Sequence, residues 1–155
     1  MNLNDKTAED VFDVLCNKYP LVFKYNETPS YSFIPVGWYN LLDEACAKIE
    51  KILEESYKAY PLDPDGIGAF RVEQIKEKFG MLRFYFSFHT KDKKAFEEIQ
   101  NIVDRSELDS SDICEVTGKP GEVCVAGCWF KTLSEEVRQL PEYKDYVVYT
   151  KDMHT

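Results

Sequence analysis

The sequence runs to 155 residues and is 44% hydrophobic and 14% aromatic, enough apolar material for one packed core and too much for a globally disordered chain. Its formal net charge of −9 excludes general nucleic-acid binding, which depends on Lys and Arg neutralising phosphates. No apolar run approaches the roughly 20 residues that span a bilayer, and the start MNLNDKTAEDVFDVL is polar and acidic, so a cytoplasmic protein with no membrane partner is expected.

The first predicted helix covers Thr7 to Lys18, with Thr7 as cap and Glu9 and Asp10 at the positive end of its dipole. Pro20 stops it, and Leu21 to Pro35 reads as an extended loop with room for a short strand. A long helix is predicted from Gly37 to Tyr57. There Trp38, Leu41, Leu42, Ala45, Ile49, Ile52 and Leu53 recur at three- and four-residue spacings and form one inward stripe. Glu44 with Lys48, and Glu54 with Lys58, are acid-before-base pairs for its wet face. The segment PLDPDGIG (Pro61 to Gly68) then breaks the helix.

Phe70 to His89 reads as two antiparallel strands turning near Phe79, Gly80 and Met81. In the second strand Leu82, Phe84, Phe86 and Phe88 alternate with Arg83, Tyr85, Ser87 and His89, so the even positions face the core. In the first strand the apolar residues switch from even (Phe70, Val72) to odd (Ile75, Phe79), which predicts a bulge. A third helix is predicted from an N-cap at Thr90 to about Leu108, with Ala95, Phe96, Ile99, Ile102 and Val103 inward. The Gly- and Cys-rich stretch after Asp112 reads as a compact hairpin or knuckle. Ser134 then caps a short helix, and Tyr146 to Thr150 supplies an edge strand. The expected fold is therefore α+β over one domain, residues 1–155. An antiparallel hairpin packs on about three helices, and residues 110–140 form a knuckle-like subregion.

The runs KEKFGMLRFYF (Lys76 to Phe86), SSDICEVTGKPG (Ser110 to Gly121) and GCWFKTLS (Gly127 to Ser134), with PVGWYNLL upstream, resemble a family of small uncharacterised phage and prophage proteins. That resemblance implies a mobile-element origin and a host-cell cytoplasmic setting rather than an assigned activity. It also implies a C-terminal segment built like a zinc knuckle, in which Cys114 stands at the first ligand position. Thr117, Ser134 and Val137 occupy the other three, leaving one of the four N or S ligands that tetrahedral zinc requires. The alternative set Cys114, Cys124 and Cys128 has no histidine near it. A metal-free knuckle is the expectation, with no cofactor. The five cysteines are odd in number, and Cys16 and Cys46 lie in helix-like segments as small buried hydrophobes.

Lys76, Lys78, Arg83 and Tyr85 are expected to share the outward face of the hairpin, joined by His89. Cations beside an aromatic ring suit a small anionic ligand of nucleotide type, charge for the phosphate and a ring for stacking. An ordinary solvated face, with cross-strand pairing to Glu73 and Glu77, is the alternative for the same residues. Trp38 and Trp129 are candidates to close such a site. The ten Tyr and ten Phe point to a stacking pocket or to an oligomer interface. No catalytic constellation is evident. Only His89 and His154 are present, no acid is placed to orient a triad, and Gly66-Ile67-Gly68 is too short for a phosphate loop. The leading expectation is a non-enzymatic counter-defence protein that sequesters a nucleotide-type signal. The second is an acidic DNA mimic that inhibits a host defence nuclease or DNA-binding effector, motivated by the net charge.

Overall fold

Helix formation begins where the sequence places its first cap. Thr7 Oγ1 accepts from the Asp10 N–H at 3.2 Å while Asp10 Oδ2 accepts from the Thr7 N–H at 2.9 Å, a reciprocal cap for α1 (Ala8–Lys18). The computed structural model describes residues 7–26 and 34–154. Pro20 opens a one-turn helix, α2 (Pro20–Phe23), where an extended loop is predicted. Proline suits a first helical turn, and the orphan N–H groups of Leu21 and Val22 are taken by the Glu50 carboxylate at 3.1 and 3.0 Å. The rest of the predicted loop, 27–33, lies outside the described residues.

A 3₁₀ turn (Val36–Trp38) leads into α3 (Tyr39–Ala59), whose stripe Leu42, Ala45, Cys46, Ile49 and Leu53 is buried as its spacing predicts. Glu50 sits on the buried side because it caps α2. Lys48 pairs with Glu44, but Lys58 pairs with Glu55 rather than Glu54. β1 (Arg71–Lys78) and β2 (Met81–Ser87) form the predicted hairpin, and its register slips between Val72 and Gln74, where the change of apolar parity calls for a bulge. Leu82, Phe84 and Phe88 are buried; Phe86 is half-buried and stacks on Phe70 at 5.3 Å between ring centroids. Phe79 is the exception to the predicted pattern. It and Gly80 form a two-residue turn at φ 55° and 80°, so its ring leaves the core and is 60% exposed.

α4 (Lys93–Ser110) is capped by Asp92, whose Oδ1 accepts from the Ala95 N–H at 3.1 Å. Thr90 instead accepts from the Asp92 N–H and turns the chain ahead of the helix. Phe96, predicted inward, is 38% exposed and lies beside Phe86 at the edge of the stripe. α4 also completes β2: Ser110 Oγ accepts from the Leu82 N–H at 2.8 Å and Glu107 Oε2 from the Phe84 N–H at 2.9 Å. Side chains of a helix thus stand where a third strand would otherwise pair.

The second sheet has the order β4 (Trp129–Leu133), β3 (Glu122–Ala126), β5 (Val147–Val148), all antiparallel, with the predicted edge strand as β5. α5 (Glu135–Arg138) is capped by Ser134 as expected. The fold is α+β. It has a main apolar cluster among the helices and the first hairpin, and a smaller one of Cys114, Cys124, Leu133 and Val137.

The two clusters are joined by backbone contacts that demand particular residues. The Gly37 N–H donates to Glu115 O at 2.9 Å, and a Cβ at position 37 would stand 2.2 Å from Cys114 O, so only glycine allows the approach. Trp38 Nε1 donates to Ile113 O at 2.9 Å, and the Thr132 hydroxyl donates to Gly80 O at the tip of the first hairpin. No helix among the described residues is long and apolar enough to cross a membrane.

Candidate functional site

The outward face of the first hairpin is set by its register. Lys76 stands opposite Arg83, Gln74 opposite Tyr85 and Lys78 opposite Met81, so all four predicted hairpin residues share one face. Lys76 Nζ lies 5.7 Å from the centroid of the Tyr85 ring, and Lys78 Nζ 5.6 Å from that of Phe79. Tyr85 is 42% exposed.

The expected cross-strand neutralisation is not realised. Glu77 falls at an odd position opposite Leu82, on the other side of the sheet, and its Oε1 accepts from the Gly80 N–H at 2.9 Å. Glu73 sits in the bulge and accepts from the Ser87 hydroxyl at 2.7 Å. No ion pair between described residues involves Lys76, Lys78 or Arg83. Two cations therefore face each other directly across an antiparallel pair, a placement that costs up to about 1 kcal/mol.

Neither tryptophan joins this face. Trp38 has no exposed surface, because its ring fills the main cluster and its N–H is committed to Ile113; the notion of a lid there is replaced by a core role. Trp129 is 72% exposed beside the Gly127–Cys128 turn. By strand alternation it points away from the side of the sheet on which Phe130 meets Phe79.

The knuckle positions do converge. Cys114 Sγ accepts from the Thr117 hydroxyl and from the N–H groups of Ser134, Thr117 and Val116; burial raises the thiol, and these bonds outweigh it to leave the pKa below its usual value. Val137 lies in the same cluster, and its N–H donates to Ser134 Oγ at 3.3 Å. The four places of the implied ligand set are thus filled by one sulfur, two hydroxyls and an aliphatic side chain. Among the described residues no group of three His, Cys, Asp or Glu is arranged to hold a metal ion.

One feature carried no signal in the sequence. Glu115 is 6% exposed, and its carboxylate takes Lys131 Nζ at 3.0 Å and the Thr132 N–H at 3.2 Å. Burial raises its pKa, partly offset by Lys131; burial lowers that of Lys131, but Glu115 outweighs it and raises it. With Glu77 and Tyr143 this pair borders a cleft of about 450 Å³. The pair lies 16 residues apart in sequence, and only the return of β4 beside the Cys114 turn brings it together. Comparison with protein-family models, with curated proteins and with solved structures returned no match.

Proposed function

We propose that this chain is a non-enzymatic binding protein that takes a phosphate-bearing, nucleotide-type ligand on the outward face of the β1–β2 hairpin. One observation carries the reading: Lys76 and Arg83 are held opposite each other with no carboxylate partner among the described residues, in a chain of net charge −9. An anion placed between them relieves that repulsion, and the Tyr85 ring beside Lys76 offers a base a stacking surface. Several neighbouring residues of the same run are accounted for by packing and by the joint between clusters: Ile75, Gly80, Leu82 and Phe84. Lys76, Arg83 and Tyr85 are not. The counter-defence setting comes from the resemblance to phage proteins, in which such binding would withdraw a host signal.

The acidic-mimic reading is weaker because acid and base are interleaved on the long helices. Glu44 with Lys48, Glu98 with Lys94 and Asp109 with Arg105 place bases among the acids of α3 and α4. Thermal melting with a panel of cyclic nucleotides separates the two. A ligand at 100 times its Kd should stabilise the protein by about 2.7 kcal/mol. Arg83→Ala should leave the unliganded melting temperature nearly unchanged and weaken binding at least about tenfold, the loss of one charge-assisted contact. Undiminished binding by a folded Arg83→Ala protein would remove the site. A basic protein co-purifying in a salt-sensitive complex, with no nucleotide effect, would favour the mimic.

A further inference from the structure

The loop Pro61–Gly68 and the connection from β2 to α4 border a half-open cavity of about 380 Å³ at the end of α3. That size falls within the range of small-molecule sites, which combine apolar walls with a few polar groups. The floor is apolar and fixed. Phe88 is buried, Tyr57 packs edge-on against it at 6.4 Å, and the Tyr57 hydroxyl oxygen is pinned by the Phe70 N–H at 3.0 Å. No hydrogen bond from that hydroxyl to an acceptor forms among the described residues, and Tyr57 is one of the residues that line the cavity.

The walls are Tyr60 and Ile67, which remain 45% and 69% exposed. Ile67 is not displayed by a slack loop. The Gly66 N–H donates to Asp63 O at 2.9 Å, the Ala69 N–H to Gly66 O at 3.1 Å, and Arg71 Nη2 to Gly66 O at 3.3 Å. A loop tied down this firmly leaves uncovered an aliphatic side chain whose burial is worth about 1.5–3 kcal/mol. His89 and Lys91 from the β2–α4 connection and Asp63 from the loop also line the cavity.

We infer that this cavity is a second binding site, for a planar aromatic ring bearing one anionic group. The ring lies between Tyr60 and Ile67. The anion takes the Tyr57 hydroxyl proton and the Lys91 ammonium, with the His89 imidazole as a further donor in its protonated or N–H tautomeric form. Asp63 opposes a second negative charge and accepts from a ring N–H or amine, which favours a heteroaromatic monoanion over a polyphosphate. The site lies beyond the hairpin face: His89, which the sequence groups with that face, is four residues past Tyr85, about 13 Å at ~3.3 Å per residue, and lines this cavity with the Pro61–Gly68 loop.

A free aromatic acid and a cyclic mononucleotide both carry this chemistry as monoanions, so the test uses indole-3-carboxylate and adenosine 3′,5′-cyclic monophosphate as separate probes. Protein labelled at isoleucine methyl groups and histidine is titrated with each and followed by NMR. The expected result is saturable movement of the Ile67 methyl and His89 signals with at least one probe, and the probe that acts identifies the source. Tyr60→Ala and Ile67→Ser should each weaken that binding about tenfold. Lys91→Ala should weaken it roughly threefold and flatten its salt dependence. Arg83→Ala should leave it unchanged, so failure here is distinguishable from failure of the hairpin site. All these side chains are at least partly exposed, and melting curves confirm that the variants fold. The inference is overturned if neither probe moves Ile67 at concentrations up to about 1 mM. It is equally overturned if Lys91→Ala binds as tightly as the parent, or if the Arg83 change alone abolishes the shifts.

Discussion

Asp43 shows how one side chain ties elements together through its charge. Its Oδ1 takes Lys18 Nζ and the Tyr19 hydroxyl, both at 2.6 Å, which holds the end of α1 against α3. Burial alone would raise the carboxyl pKa, but the hydrogen bonds from Lys18 and Tyr19 outweigh it and leave it below its usual range. A carboxyl depressed in the folded state binds fewer protons there than in the unfolded chain. Its stabilisation is therefore complete above the unfolded value of about 3.9 and is lost as pH falls through the lower folded value. Asp43→Asn should lower stability at neutral pH and flatten the decline between about pH 4 and the acid limit. Urea melts across that range measure it, and an unchanged acid slope would show that the Lys18–Asp43 contact is not formed in solution. The hairpin cations make the opposite case, since no ion pair between described residues involves Lys76, Lys78 or Arg83.

At the scale of elements, the outer edge of β2 is completed by a helix. Ser110 and Glu107 of α4 supply acceptors to N–H groups that a lone two-stranded ribbon would leave bare. Ser110→Ala leaves the Leu82 N–H buried and unpaired, which should cost about 1–3 kcal/mol. The adjacent Ser111 bonds only Leu108 O in an exposed position, so Ser111→Ala should fall within about 0.5 kcal/mol of the parent. Chemical denaturation of the two variants compares them directly; equal costs would mean that propensity at the end of α4, not the edge contact, sets the effect. In the C-terminal segment the Thr117 hydroxyl and backbone donors near the Cys114 sulfur hold its pKa below the usual value, and Ser134 Oγ accepts from the Val137 N–H.

For the molecule as a whole, the two apolar clusters meet through Gly37, Trp38, Glu115 and Thr132, residues that touch the opposite unit through hydrogen bonds rather than broad apolar contact. Such a joint predicts one cooperative unfolding event. In Trp38→Phe a smaller aromatic ring replaces the indole, the bond to Ile113 is lost, and Trp129 becomes the sole tryptophan reporter of the C-terminal sheet. Its fluorescence melt should coincide with the helical circular dichroism, at a stability lower by about 1–3 kcal/mol. Two separated transitions would mean that the joint is too weak to couple the clusters.

Periodicity alone determined most of the elements: the 3.6-residue stripe of α3, the alternation of β2, the bulge in β1, the caps of α1 and α5, and the edge strand β5. These are local properties, set by which neighbours along the chain share a face. The outward placement of Lys76, Lys78, Arg83 and Tyr85 followed from the same alternation. What local pattern does not encode is who stands across the gap. Phe79 left the core because the turn needed its left-handed backbone, and Glu50 entered it because α2 needed a cap. Trp38, which its spacing already placed on the inward stripe, has its ring N–H fixed by a carbonyl 75 residues away. The Glu115–Lys131 pair, the lack of an ion pair to Lys76 or Arg83 among the described residues, and the cavity between the Pro61–Gly68 loop and residues 88–91 each depend on segments distant in sequence. Only tertiary packing decides those, because charge balance and concavity are properties of the space between elements.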